Sequence, residues 1–520
     1  MRNNHIVSRQ ARQEREANKP FSLAPFALLA RNASVVAAAA MLTACAIGPD
    51  YVRPETPVKA DFHAREAAVY AAGQPLAAGV NEKPEVSPAL APGAAEFWRG
   101  FNDPLLTRLV EQALAANTDL RVAVARVDRA RAITRQSRLD LFPTVAAEAG
   151  YAKSRASADQ APGVPREQRD SELGSVSADA FWELDLFGRV RRGVESQRAE
   201  AEAAAADLQA LQVSIAAEVA RTYFELRGEQ EQLRIAQRNA DNQRDTVKLT
   251  QARLDAGRGT ELDTSRARAQ LEFTLSRVPA LETAVAASAH RLAVLNGREP
   301  AALLSELEKP EPMPALPQDV AVGTPAELLR RRPDLQAAER RLESATARVG
   351  IATADLFPRL TFNGAIGGAA SNLGDIFTRD GETYGFGPRL SWAFLDLGRV
   401  RARIAATDAD AQGALAAYEG AVLRALEESE NALTGYARAQ REGAHLGDSA
   451  AASERAAQLA RLRFEGGAAD FLQVLDAERS LLDAQDRLAQ NHIRAATTLV
   501  AVYKAVAGGW PERTVVLGAR

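Results

Sequence analysis

A single thiol, Cys45, stands in a chain of 520 residues. It follows Leu42-Thr43-Ala44, behind an apolar stretch from Ala33 to Leu42 and a leader carrying Arg2, Arg9, Arg12, Arg15, Lys19 and Arg31. A basic segment followed by a short apolar run has the form of a secretory signal, and a sulfur at its end is placed for covalent modification. One cysteine makes neither a disulfide framework nor a cysteine-rich metal site. The five histidines are scattered and leave little for imidazole catalysis or a histidine-held metal. The remaining groups of chemical interest are carboxylates beside two glycine turns. Glu261, Leu262 and Asp263 follow Gly257; Asp470, Phe471, Leu472, Gln473 and Asp476 follow Gly467. Read from the residues alone, such charges are solvated helix ends. The chain has no phosphate-binding loop, no nucleophile-and-base arrangement and no metal-ligand cluster. Lys and Arg total 64 against 67 Asp and Glu, so there is no basic excess for nucleic acid.

Leu42-Thr43-Ala44-Cys45 resembles the bacterial lipobox, in which the cysteine becomes the new N-terminus. The resemblance implies a covalent N-acyl and S-diacylglycerol lipid on Cys45, with palmitate among the chains, and no other cofactor. Each buried CH₂ of such chains contributes about 0.8 kcal/mol. Residue 46 is Ala rather than Asp, which by the same resemblance favours the outer membrane. Removing residues 1–44 takes away six basic and two acidic residues and moves the net charge from −3 to −7. A basic patch for anionic lipid is therefore not the anchoring device. Mean hydropathy is −0.23, and without a run of about 18 to 20 apolar residues no transmembrane helix is expected in the mature chain. Pro49, Pro54 and Pro57 force an extended arm behind Cys45. Residues 60–95, rich in Ala, Gly and Pro, read as linker.

The elements that must position these groups come in two copies. Gly188-Arg189-Val190 recurs as Gly398-Arg399-Val400, Trp182 as Trp392, and Arg253-Leu254-Asp255-Ala256-Gly257 as Arg463-Phe464-Glu465-Gly466-Gly467, all 210 residues apart. Leu141-Phe142-Pro143 recurs as Leu356-Phe357-Pro358, and Asn117-Thr118-Asp119-Leu120 matches Arg332-Pro333-Asp334-Leu335, 215 residues apart. An ordered series of this length means a duplicated domain. Each half predicts a helix (about 103–140; 325–355), two strands, a long helix (about 188–256; 398–465), a glycine turn and a return helix (about 262–296; 470–507). A long helix of about 69 residues at 1.5 Å each would run about 100 Å. The strands alternate. In 174–186, Val176, Ala178, Ala180, Trp182, Leu184 and Leu186 oppose Ser175, Ser177, Asp179, Phe181, Glu183 and Asp185; in 384–397, Tyr384, Phe386, Leu390, Trp392 and Phe394 oppose Gly385, Gly387, Arg389, Ser391 and Ala393. That pattern suits a barrel strand between lipid and water and equally a half-buried strand in a soluble sheet; the lipoprotein signal favours the former. Four strands cannot close a barrel, and about eight close one filled by side chains. Three chains would supply twelve strands around a lumen.

The sequence resembles the outer membrane factors, the TolC-like channels, in their lipoprotein branch that serves resistance-nodulation-division (RND) efflux pumps. The resemblance rests on Cys45-Ala46-Ile47-Gly48-Pro49-Asp50-Tyr51 with Pro54 and Pro57, Phe97-Trp98, Asp103-Pro104-Leu105-Leu106, both Leu-Phe-Pro sites, Asp185-Leu186-Phe187-Gly188-Arg189 and the two glycine tips. It implies an internally duplicated α+β membrane protein. The chain's four strands contribute to a trimeric, 12-stranded outer-membrane β-barrel that continues into a long periplasmic α-helical barrel. The implied organisation is a lipoprotein signal peptide (1–44), an acylated arm and linker (45–95), a first repeat (96–297), a Pro-rich equatorial linker (298–324), a second repeat (325–510) and a tail (511–520). It further implies a homotrimer conducting passively in the cell outer membrane of a Gram-negative bacterium. Its partners would be a periplasmic adaptor, an inner-membrane RND-type pump and outer membrane lipid, with no nucleic acid and no enzymatic activity. In this family, acidic side chains on the second return helix narrow the periplasmic aperture. Asp476 matches the lower ring, while Gln473 stands at the upper one. A Tyr and an Arg that hold the family's tips closed are matched by Phe464 and Ala468, which cannot make those bonds. Asp263 is present without them, leaving Arg258 or Asp470 as alternative contacts. Gly257, Leu262, Gly467 and Leu472 are the expected adaptor-docking tips, and Trp182 and Trp392 the lipid-facing band. Asp179, Glu183, Asp185 and Arg389 would face the lumen with a mild cation preference. The rival readings are a type I protein-secretion channel and a non-conducting, periplasm-spanning lipoprotein scaffold.

Overall fold

A computed structural model of the chain describes residues 46–59, 61–63, 96–316 and 324–506. Cys45, the leader and the tail 511–520 lie outside the described residues. Apart from short helical turns, the elements are α1 (Pro104–Ala116), α2 (Thr118–Leu139), β1 (Thr144–Arg155), β2 (Asp170–Leu184), α3 (Arg189–Asp255), α4 (Glu261–Leu295), α5 (Pro325–Arg331), α6 (Pro333–Ala354), β3 (Arg359–Ala370), β4 (Glu382–Ser391), α7 (Leu397–Glu465) and α8 (Phe471–Val506). No helix among the described residues is long and apolar enough to cross a membrane. The order repeats as expected, with two corrections beside a shift of the second strand from 174–186 to Asp170–Leu184, which leaves Asp185 and Leu186 past its end.

The first helix of each half is broken. Asn117 leaves the helical conformation at ψ 132°, and its side chain accepts from the Asp119 and Leu120 amides. It thereby ends α1 and caps α2. The break in the second half falls at Arg332, before Pro333, because a residue preceding proline is pushed out of the helical region. The other correction concerns the last strand, which ends at Ser391 instead of running through Phe394. Ser391 pairs with Arg359; the next partner would be Pro358, which has no N–H to extend the ladder.

The fold divides into two compact units. One comprises 137–194, 347–407 and the described residues 46–50. It holds an antiparallel sheet in the order β1-β2-β3-β4. The register keeps the apolar positions in line. Val145 faces Ala180, Trp182 faces Phe362, Ala178 faces Ile366, and Ile366 faces Tyr384. Because directly opposed residues share a face, one side is a continuous apolar surface. Its largest side chains are exposed, among them Ile366, Tyr384, Phe386 and Leu390.

The second unit comprises the remaining helical segments. Its core gathers Phe97, Trp98, Phe101, Tyr223, Phe224 and Tyr503 with Leu106, Leu109 and Leu292. Phe101 meets Phe224 edge-on at 4.9 Å, and Phe97 stacks on Tyr503 at 5.4 Å. Tyr223 donates to Asp103 at 2.5 Å; burial and then this bond push its hydroxyl pKa upward. The fully buried Arg227 donates to the Lys309 carbonyl and Glu311, both at 2.9 Å. It thus fastens the proline-rich segment after α4 to α3. Buried charge is stable only when its donors are satisfied.

Candidate functional site

The polar face of the sheet carries Asp179, Glu183, Thr361, Asn363 and Arg389 in register: Asp179 opposes Ala365, Glu183 opposes Thr361, and Thr361 opposes Arg389. A trough of about 560 Å³ lies along it, lined by Thr144, Asp179, Phe181, Asn363 and Arg389. Two of the expected lumen charges have local partners instead. Arg189 grips Glu183 with both nitrogens at 2.8 and 2.5 Å. Asp185 accepts from the Val190 and Arg191 amides at 3.1 and 2.9 Å and from the Arg191 side chain at 3.2 Å. It caps α3, as an acidic side chain does at a helix start. Asp179, on the same face, accepts from the Ser177 hydroxyl at 2.7 Å.

On the apolar face the two Trp residues repeat one contact. Trp182 donates to the Leu141 carbonyl and Trp392 to the Leu356 carbonyl, each at 3.0 Å. Each indole therefore ties the foot of its strand pair to the Leu-Phe-Pro turn, while Trp392 stays exposed. An apolar ring with one satisfied polar tip suits the edge of a bilayer.

The residues after Cys45 are held in the sheet unit. Ile47 donates its amide to Phe187 at 3.1 Å. Arg192 donates to Asp50 at 2.6 Å and to the Gly48 carbonyl at 3.3 Å. Gly48 has φ +103°, and a Cβ there would lie 2.4 Å from the Gly350 Cα, so only glycine fits. In the helical unit, Tyr51 and Arg53 both reach Glu339, at 3.3 and 3.1 Å.

At the tips the two halves use the same turn. Gly257 (φ +69°) donates to Leu254 and Arg258 to Arg253; Gly467 (φ +75°) donates to Phe464 and Ala468 to Arg463. These are paired Schellman bonds, which need a left-handed residue at the glycine. Leu262 and Leu472 stand exposed beyond them. Asp263 is bonded to the Thr260 hydroxyl at 2.7 Å at the start of α4, and Asp470 accepts from the Gln473 amide at 3.1 Å at the start of α8. Gln473 and Asp476 are exposed one turn apart on α8.

What joins the two hairpins was not anticipated. Arg253 on α3 donates to the Phe464 and Glu465 carbonyls at 2.6 and 3.1 Å. Its guanidinium lies 4.1 Å from the centre of the Phe464 ring. Phe464 packs on Phe471 within a buried cluster of Ala267, Val474 and Leu475. Farther along, Arg461 on α7 reaches Glu478, Thr246 and the Asn242 carbonyl at 2.8, 3.1 and 3.3 Å. Arg479 reaches Gln270 at 2.7 Å, and Arg277 pairs with Asp486 at 2.8 Å. Phe464 thus lacks the polar side chain of the expected lock, yet its backbone and ring accept a cation from the opposite hairpin. No group of metal-holding side chains occurs among the described residues.

A duplicated chain of paired strands with one apolar and one polar face, joined to long helical hairpins, defines an outer-membrane channel of the TolC-like class. The family model for outer membrane efflux proteins matches residues 109–298 and 324–508, and the chain belongs to that family. It is 31% identical over 456 residues to Nodulation protein T of Rhizobium leguminosarum bv. trifolii, across 86% of this chain and 91% of that one. It is also 31% identical over 477 residues to the solvent efflux pump outer membrane protein SrpC of Pseudomonas putida, across 90% and 96%. Among solved structures, the outer-membrane channel OprN is 42% identical, with TM-score 0.80 across 90% of this chain and 100% of that one. The protein is accordingly the outer-membrane exit channel of a tripartite efflux system.

Proposed function

We propose that three copies close their sheets edge to edge into a twelve-stranded barrel and pass small molecules outward without a chemical step of their own. The observation that carries this is the sheet itself. Its faces are sorted by polarity, and β1 and β4 are edge strands, whose free backbone groups need a partner in lipid. Substrate would arrive from an inner-membrane RND-type pump through a periplasmic adaptor seated on the glycine tips. Three Asp476 carboxylates around the axis would narrow the periplasmic aperture and draw cations to it. Planar-bilayer recording tests the reading. The protein should give discrete current steps, and Asp476→Ala should raise single-channel conductance or weaken block by divalent cations. Absence of steps would overturn conduction; unchanged conductance and block would remove Asp476 from the aperture.

The acyl anchor on Cys45 belongs to the same proposal. It is supported by Ile47–Asp50, held against Phe187 and Arg192 at the foot of the sheet. Cys45→Ser should abolish incorporation of labelled palmitate in cells, and label retained by that variant would disprove the anchor.

A further inference from the structure

The loop between β3 and β4, residues 371–381, folds back over the apolar face of its own sheet. Ile376 is only 6% exposed. It rests, with Leu373, where Gly174 of β2 carries no side chain: a Cβ on Gly174 would lie 2.8 Å from Ile376 and 2.6 Å from Leu373. A Cβ on Gly368 of β3 would lie 1.9 Å from the Ile376 carbonyl oxygen. The loop is internally closed, Ala369 donating to Gly381 at 2.8 Å, Thr378 to Asp375 at 3.0 Å and Gly381 to Thr378 at 3.1 Å. Gly368 opposes Val176, and Gly174 lies two residues from Val176 on the same strand. Both therefore belong to the face of Trp182, Ile366 and Tyr384. The seat lies on the two interior strands, one strand in from either edge.

With Ile376 filling the seat, the loop presents Phe377 at 83% exposure and Leu373 at 59%. Their level can be read along β2. Gly174 and Trp182 are eight residues apart, which is about 26 Å of strand at roughly 3.3 Å per residue, or about 20 Å along the membrane normal at a tilt near 40°. The apolar band of an outer-membrane barrel is about 25 Å tall with an aromatic girdle at each interface. Trp182 and Trp392 stand at one end of the sheet. Tyr151, which opposes Gly174, stands at the other, and the exposed Tyr384 lies between them, in line with Ile366 and Ala178. Phe377 and Leu373 continue that second girdle.

We infer that loop 371–381 is a lipid-contact element, riveted to the sheet by Ile376, whose Phe377 and Leu373 enter the acyl chains of the outer leaflet. Its occupant is lipid because the patch continues the apolar face and lies on the strands farthest from a neighbouring copy. The inference rests on the outer-membrane placement of the sheet and not on gating or on Cys45.

Phe377→Cys, labelled with an environment-sensitive dye in phosphatidylethanolamine–phosphatidylglycerol vesicles, reads the site directly. The parent chain carried through the same labelling gives the background from Cys45. Emission should shift to the blue, be quenched by nitroxide-labelled acyl chains, and be quenched by iodide several-fold less than the same dye on Arg379→Cys. Adding Gly174→Val, which fills the seat, should return the dye to water; if that variant does not insert, the Phe377→Cys result decides alone. Quenching by iodide with none from nitroxide lipid overturns the inference. So does a dye shielded from both, which would place a second copy, not lipid, on Phe377.

Discussion

Arg253→Ala is expected to open the periplasmic end of the channel. The side chain gives two bonds to the backbone of the opposite hairpin, at 2.6 and 3.1 Å, and lies over the Phe464 ring. A hydrogen bond from a charged group contributes about 1.5–3 kcal/mol, and a cation–π contact at an exposed site about 0.5–1 kcal/mol. Because Arg253 is only half-buried, a net loss of about 2 kcal/mol is the reasonable figure after solvent screening. That shifts a closed–open equilibrium by roughly 30-fold. Open probability in planar bilayers should rise accordingly, and cells should become sensitive to a bulky antibiotic that an intact outer membrane excludes. Arg253→Lys keeps the charge but loses the fork geometry, so its effect should fall between. Unchanged open probability in Arg253→Ala would assign closure to Arg461 and Glu478 farther along the hairpins.

That contact shows where sequence reasoning stopped. Arg253 and Arg463 occupy equivalent places in the two repeats, and nothing local separates them. Only packing brings Arg253 to a carbonyl 211 residues away, while Arg463 stays exposed. The faces of the strands were legible because a period of two is local, and the register kept Val176, Trp182 and Tyr384 together. Alternation also placed Glu183 and Asp185 on the polar side, but it carries no information about ion pairing. Their partners Arg189 and Arg191 lie six residues on, across the turn into α3. The break at Asn117 had a readable sign, since Asn followed by Thr and Asp opens a helix. The loop over Gly174 left only the glycine itself as a sign. A glycine in a strand marks a close approach without saying by what.

The tip glycines allow fold and docking to be separated. An added Cβ at Gly257 or Gly467 would meet nothing within 4 Å, so a side chain there projects into space that a partner would use. The backbone sets a second constraint, with φ at +69° and +75°. A leucine would add roughly 1–2 kcal/mol of left-handed strain at each site, and a lost function would then be ambiguous. Asparagine tolerates this conformation at a helix C-terminus while still adding a side chain. Gly257→Asn with Gly467→Asn is therefore expected to keep helix content and single-channel conductance but to cut efflux and adaptor cross-linking at least several-fold. Leu262→Ser with Leu472→Ser, which removes the exposed apolar side chains next to both turns, should weaken cross-linking without touching the turns. If the asparagine pair exports normally and only the leucine pair fails, the glycines serve the turn alone and the adaptor seats elsewhere.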